Sequence, residues 1–337
     1  MVFAAYLGIG TFATLLITPF LITFLRKQGQ FDTPNHRSSH SKPVPRGGSL
    51  VAIVVTICLI VSIGQFHTWP LVVIPIAVLI SSSVGLADDV SGLNPLLRLI
   101  VLLVISLSIS TASFVPSSFS LLFKLVATIV AIIFIVGFIN AWNFMDGIDG
   151  ITAIGVGVTG LFWAILASEL HLQWLELLSG ALIGGAIGFG AFNCFRSKTF
   201  AGDVGSYGWG SIIAGTIVVA ISKHVPIDAI IAPVVLSIAD TSTTLIKRAW
   251  RKEKLFEAHK SHAYQRLQQR GYAHMSVSSI YGLLSVLCGV LGVGNLHATI
   301  LDHVLNDFGI LLIAIFYLYL PNFTDKFASL KIENKLT

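Results

Sequence analysis

The sequence predicts an all-α polytopic membrane protein, and three observations carry that prediction. Apolar runs of about bilayer length recur along the whole chain, charged residues are scarce, and the cations fall almost wholly on one side of the runs. Hydrophobic residues make up 55% of the 337 and charged residues 11%, with a mean hydropathy of +0.85. That balance lies outside the soluble globular range.

A helix needs ~20 apolar residues to cross hydrocarbon about 30 Å thick. Eleven runs approach or exceed that length: 3 to 24, 47 to 65, 69 to 87, 97 to 115, 118 to 140, 150 to 168, 175 to 194, 207 to 223, 226 to 246, 275 to 294 and 304 to 321. The first lacks a basic leader and a small-residue cleavage site, so it reads as an uncleaved anchor. With eleven crossings the loops alternate between two sides, and 19 of the 21 Lys and Arg residues fall on one of them, leaving only Lys124 and Lys223 on the other. The positive-inside rule makes the richer side cytoplasmic, with the N-terminus outside and the C-terminus inside. Topology and anionic headgroups account for the net charge of +5, and no nucleic acid is needed to explain it. The predicted organisation is one transmembrane catalytic domain, 1–321, with cytoplasmic loops at 25–46, 88–96, 141–149, 195–206 and 247–274, and a cytoplasmic tail, 322–337. Cys58, Cys194 and Cys288 lie far apart in or beside apolar runs and suggest neither a disulfide framework nor a metal knuckle.

Five polar clusters interrupt this pattern, all on the predicted cytoplasmic side. In chain order they are DTPNHRSSHSKPVPRGG at 32–48, ADDVSGLNPLLR at 87–98, NAWNFMDGIDG at 140–150, AGDVGSYGWG at 201–210 and AHKSHAYQRL at 258–267. The outer-loop acids Glu169, Glu176, Asp228, Asp302 and Asp307 form no comparable cluster in the sequence. One-sided convergence of this kind predicts an active site at the inner membrane surface.

The first cluster combines His36, Arg37, His40, Lys42 and Arg46 with prolines and a Gly pair, a stiff basic loop suited to phosphate. In the second, Asp88 and Asp89 are adjacent, so on a helix they point about 100° apart and one of them faces the site. In the third, Asn140, Asn143 and Asp146 step by three along a helix end. An N-cap, worth ~1 kcal/mol, would account for Asp149 alone but not for the others, because polar groups at the edge of hydrocarbon need partners. Asp203 opens the eighth run, where a helix-start role is the structural alternative. In the last cluster His259, His262 and Arg266 would share a helical face. That face is too poor in ligands for zinc and is better suited to phosphate oxygens. Carboxylate and amide oxygens suit Mg²⁺, which fills its remaining positions with substrate phosphates and water. Together the clusters point to phosphoryl chemistry on a diphosphate.

These five motifs, in this order and on one membrane face, resemble those of the polyprenyl-phosphate N-acetylhexosamine-1-phosphate transferases of glycosyltransferase family 4, which include phospho-N-acetylmuramoyl-pentapeptide transferase. The resemblance covers about residues 1 to 295. It implies a bacterial plasma-membrane enzyme in which undecaprenyl phosphate attacks the sugar-linked phosphate of a UDP-N-acetylhexosamine and UMP leaves. The implied metal ligands are Asn143 and Asp203, holding Mg²⁺ with Mn²⁺ as a substitute. Asp88, Asp89 and Asp146 are the implied catalytic carboxylates, Asp88 serving as base or positioning group for the lipid phosphate. His36, Arg37, Lys42, Arg46, Arg98, Asn140, Asp149, His259, His262 and Arg266 are the implied substrate contacts. Arg98 stands where relatives often carry lysine, keeping the charge but changing its geometry. A second copy of the chain is a further implied partner. The motifs HRSSHSKPVPRGG and HKSHAYQRL are more similar to the branch that initiates O-antigen, including enzymes for 6-deoxy sugars, than to the peptidoglycan branch; teichoic acid linkage synthesis uses the same chemistry. Single displacement and a two-step route through an aspartyl-phosphate both remain open. The competing class is a secondary transporter, whose ionisable residues would cluster at the bilayer midplane. Only Asp240 is placed for that role, and it lies six residues from the inner end of its run, about 9 Å at 1.5 Å per residue.

Overall fold

The structure is a computed structural model that describes residues 1–32, 43–64, 69–195, 197–253 and 260–336. The chain is helical almost throughout. In order the helices are α1 (Val2–Lys27), α2 (Leu50–Ser62), α3 (Trp69–Ser91), α4 (Pro95–Phe114), α5 (Leu121–Met145), α6 (Ile151–Glu169), α7 (Gln173–Asn193), α8 (Gly202–Ser222), α9 (Ile227–Ile231), α10 (Val235–Trp250), α11 (Ala263–Gln269), α12 (His274–Gly294) and α13 (Ile300–Leu336). A two-residue antiparallel pair, β1 (Phe31–Asp32) with β2 (Val44–Pro45), closes the segment between α1 and α2.

All eleven apolar runs are helical, and among the described residues ten segments have the length and composition to cross a membrane. The exception is α2, whose 13 residues extend only about 20 Å at 1.5 Å per residue. Its run is apolar to residue 65, but Gly64 adopts a left-handed φ of +70° and ends the helix there. The ninth crossing is composite: α9, a 3-10 turn at Ala232–Val234 containing Pro233, and α10 together span Ile227–Trp250. Proline breaks the helical ladder at that turn and re-aims α10.

The central element is α8. It is buried along nearly its whole length and packs on α3 and α5, whereas α1, α4, α5 and α13 turn leucine, isoleucine and phenylalanine outward, as lipid contact allows. Close approach of α1 to α7 depends on small residues, because lipid supplies no hydrophobic drive between helices. A Cβ added at Gly184 would stand 2.5 Å from the Leu7 carbonyl oxygen and 2.9 Å from the Gly10 Cα.

Chain direction alternates, so the C-terminal ends of α1, α3, α5, α7 and α10 meet the N-terminal ends of α2, α4, α6, α8 and α12 at one end of the bundle, where the polar clusters lie. Lys124 and His224 lie at the opposite end, on Val115 O (2.9 Å) and Ser118 Oγ (3.1 Å). The acids there do assemble, contrary to their scattered appearance in sequence. Asp228, His303 and Asp307 place ligand atoms within 4.8 Å of one another. The Asn295 amide donates to both carboxylates, at 2.6 and 2.9 Å, tying α9 and α13 to the 3-10 turn that follows α12.

Gly184→Leu should therefore force α1 and α7 apart and cost about 1–3 kcal/mol of stability by overpacking. Gly137→Leu, at a position where an added Cβ meets nothing within 4 Å, should leave the melting temperature of the detergent-solubilised protein unchanged. Equal melting temperatures for both variants would show that the α1–α7 contact is not stabilising.

Candidate active site

The site forms where two loop segments clasp. Gly47 N and Gly48 N donate to Phe200 O at 3.2 and 2.8 Å, Phe200 N donates back to Pro45 O at 2.9 Å, and Thr199 Oγ1 adds a 2.8 Å bond to the same carbonyl. This clasp sets Arg46 beside the first turn of α8. Asp89, in the last turn of α3 and only 5% exposed, receives the Asp203 N–H at 3.0 Å, the Val204 N–H at 3.1 Å and the Arg46 Nε–H at 2.7 Å. Two of the four orphan donors at the start of α8 are thereby satisfied, by a group whose charge suits a helix N-terminus.

With α8 fixed in this way, Asp203 projects into the cleft. Its Oδ1 accepts from Arg46 Nη2 at 2.7 Å and from Asn143 Nδ2 at 3.1 Å, and Asn143 Nδ2 also reaches Ser206 Oγ at 2.8 Å. The Asn143 side-chain carbonyl oxygen engages no donor among the described residues. Asp88 lies on the other side: its carboxyl faces that of Asp203, accepts the Leu93 N–H at 2.6 Å and pairs with Arg98. Arg98 reaches it because Asn94 caps α4 through the Leu96 N–H, with Pro95 at the first helical position, so Arg98 sits one turn into a helix that starts beside Asp88. Of the adjacent pair, Asp88 faces the cleft and Asp89 holds α8.

The segment 140–150 forms the third wall. Asp146 ends α5, accepts from Thr152 Oγ1 at 2.6 Å and is partly buried. Burial pushes its carboxyl up to about 7, with the Thr152 bond acting against the shift and the Asp203 charge adding to it. Asn140 turns its amide back along its own helix, to Val136 O at 2.8 Å. Asp149 is not an N-cap. Gly150 occupies that position in α6, and the Asp149 carboxylate faces His274 Nδ1 at 3.4 Å.

The histidine motif is divided. A continuous helix through His259, His262 and Arg266 does not form, because α11 begins at Ala263 with His262 as its N-cap, locked by a reciprocal capping box with Gln265. The His262 ring is 1% exposed, stacks on Phe144 with centroids 5.9 Å apart, and places Nδ1 3.3 Å from Asp240. Arg266 turns away from the cleft to Asn322 of α13. His36, Arg37, Lys42 and His259 lie outside the described residues. Two contributors escaped the sequence reading. Asn193, at the end of α7, accepts from Gly150 N at 2.8 Å and donates to Thr199 O at 3.1 Å, and His274 holds Asp149. Each is a lone polar residue at a helix end, with no spacing pattern to mark it.

Four carboxylates thus meet two guanidinium groups among the described residues, and two of the carboxyls face one another. The surplus negative charge, the oxygen-rich donor set and the unengaged Asn143 carbonyl fit a hard divalent cation of the Mg²⁺ class.

Comparison with known proteins agrees with this arrangement. The family described as Glycosyl transferase family 4 matches residues 71–221, which run from α3 to the end of α8. The chain is 29% identical over 279 residues to the "probable undecaprenyl-phosphate N-acetylglucosaminyl 1-phosphate transferase" of Bacillus subtilis (strain 168), covering 79% of this chain and 78% of the relative. The phospho-N-acetylmuramoyl-pentapeptide-transferase of Leuconostoc citreum (strain KM20) is 25% identical over 310 residues, 83% of this chain and 94% of its own length. The enzyme of the same name from Streptococcus pneumoniae (strain CGSP14) is 31% identical over 229 residues, 61% and 70% respectively.

Asp146 yields a pH prediction. The folded state keeps a proton on it up to about pH 7, whereas the unfolded chain releases that proton near about pH 4. The folded protein therefore binds more protons between these values, and stability falls as pH rises through them. Asp146→Asn, which keeps an acceptor for Thr152, should melt at a higher temperature than the parent at pH 8 and at the same temperature at pH 4, measured without added metal. A variant whose melting temperature falls with pH as steeply as the parent's would place the titration on another group.

Proposed function

The chain belongs to glycosyl transferase family 4, and from that premise we propose that it transfers N-acetylhexosamine 1-phosphate from a UDP-linked donor to undecaprenyl phosphate and releases UMP. The observation that carries the reading is the convergence of Asp88, Asp146, Asp203 and Asn143 at one end of a membrane bundle, with Arg46 and Arg98 drawn in among them. A diphosphate donor can enter so acidic a cleft only when its charge and that of the carboxylates are jointly neutralised.

Asn143 and Asp203 would hold Mg²⁺, which when bound supplies that neutralisation. The remaining work falls to the chain itself. Phosphoryl transfer depends chiefly on positioning and charge balance. A phosphate monoester is already mostly ionised near neutral pH, so Asp88 need only align it. Arg98 holds the Asp88 carboxylate in place through the ion pair, and Arg46 offers a fork that can turn from Asp203 to a phosphate oxygen. Asp149, fixed by His274, and Asn193, which fixes the Gly150 backbone, shape the wall offered to the donor.

The N-acetylglucosaminyl name of the Bacillus relative makes UDP-N-acetylglucosamine the first donor to test, with 6-deoxy-N-acetylhexosamine donors next. The product would initiate a lipid-linked cell-surface glycan of the O-antigen type, made at the cytoplasmic face of a bacterial plasma membrane. A transporter would need ionisable groups at mid-bilayer. Instead, Asp240 is buried near the site end and satisfied by the Ala263 N–H at 3.0 Å and the Tyr317 hydroxyl at 3.2 Å.

The test incubates purified protein with undecaprenyl phosphate, Mg²⁺ and a panel of UDP-sugars and measures UMP. No UMP from any sugar, beside a working control enzyme, sinks the reading. Asp203→Asn keeps an acceptor for Arg46 and the start of α8, so it should fold normally while losing at least about 100-fold in turnover. Undiminished turnover would remove Asp203 from the metal site.

A further inference from the structure

The ends of α10, α11 and α13 enclose a cavity of about 410 Å³ that is separate from the carboxylate cleft. The buried Asp240–His262 pair divides the two, since Asp240 borders the cavity while the His262 ring stacks on Phe144 in the last turn of α5, beside the cleft. Four cations line the cavity: Lys247 and Arg248 from α10, Arg251 just past its end, and Arg266 from α11. Among the described residues they face two acids. Glu253 lies 3.7 Å from Arg248 and 3.9 Å from Arg251, and Asp240 is already engaged by Ala263, Tyr317 and His262. Lys247 has no acidic partner among the described residues. Among the described residues, positive charge therefore exceeds negative in this half-open polar space, which suits an anion.

Depth in the membrane identifies the class of anion. Ile246 and Trp250, on the same helix as Lys247, are exposed, as are Tyr319 and Phe323 on α13 near Asn322. Exposed tryptophan and tyrosine beside lysine and arginine mark the headgroup layer, where a basic pocket between helices meets lipid phosphate at high local concentration. We propose that this cavity is a second phosphate site, outside the catalytic cleft, which binds the headgroup of an anionic phospholipid and fastens α10 to α13.

The same chemistry would accept a water-soluble diphosphate, and the experiment separates the two sources. Full-length protein in a neutral detergent is titrated with phosphatidylglycerol or phosphatidylcholine and the retained lipid is read by native mass spectrometry, with inorganic diphosphate added as competitor. One phosphatidylglycerol should be retained in preference to phosphatidylcholine and should resist millimolar diphosphate. Lys247→Gln with Arg251→Gln should weaken its retention about thirtyfold, from the ~1 kcal/mol that each basic residue contributes near an anionic surface. Both side chains are exposed, so folding should be unaffected, and Lys247→Gln alone should give a smaller loss in the same direction. Equal retention of the two lipids, unchanged affinity in the double variant, or displacement by diphosphate would each overturn the proposal, the last by assigning the cavity to a soluble ligand. The readout is binding and does not depend on turnover, so it stands apart from the transfer reaction.

Discussion

Asp89 is the group on which the site depends. A carboxylate sunk at the end of a transmembrane helix is costly unless its charge is met, and here three donors meet it: the Asp203 and Val204 N–H groups in the first turn of α8 and the Arg46 guanidinium. Those donors come from parts of the chain 114 and 43 residues away. A single buried charge therefore fixes the angle of α3 against α8 and draws the segment after β2 over both. Asp203 points into the cleft because its own backbone is held by Asp89, and Asn143 and Arg46 meet it because α8 cannot rotate away.

This dependence explains how two adjacent aspartates hold different positions. Neighbours on a helix diverge by about 100°, so when one is turned into the α3–α8 contact the other is carried toward α4, where Arg98 and the Leu93 N–H receive it. The buried member is saturated by protein donors. Asp88 keeps its place facing Asp203 at the cleft, where an incoming phosphate can compete with it for Arg98. The structural and the chemical carboxylate are thus chosen by packing rather than by any difference in residue type.

That distinction marks where sequence reading stops. The apolar runs, their number and the gathering of Asp88, Asn143, Asp146 and Asp203 at one end follow from length and periodicity, because a bilayer permits little besides helices. Whether Asp88 or Asp89 faces the cleft depends on a contact with residues more than a hundred positions away, which no local pattern encodes. The histidine motif failed differently. Its i, i+3, i+7 spacing suggested one face, yet His262 and Gln265 form a capping box that starts the helix after the histidine and leaves Arg266 pointing at α13. Capping chemistry outweighed periodicity over that short helix. Asn193 and His274 carried no signal at all, since Asn193 acts through the backbone of Gly150 and Thr199 and His274 through Asp149, contacts that no local spacing announces.

The opposite end of the bundle shows why convergence of acids alone does not make a site. Asp228 and Asp307 also approach one another, but the Asn295 amide lies between them, with the His303 Nε2 3.1 Å from the first and 3.7 Å from the second. The Asn295 amide on its 3-10 turn and the His303 imidazole on α13 fill that knot, so its charge is spent on closing α9 and α13 over the end of α12. At the cleft the counter-groups are guanidiniums on flexible side chains, which can turn from a carboxylate to a phosphate without unfolding anything. The difference lies in the mobility and charge of the partners. A pair of acids held by exchangeable cations is poised for an anionic ligand, whereas a pair held by a fixed amide is already complete.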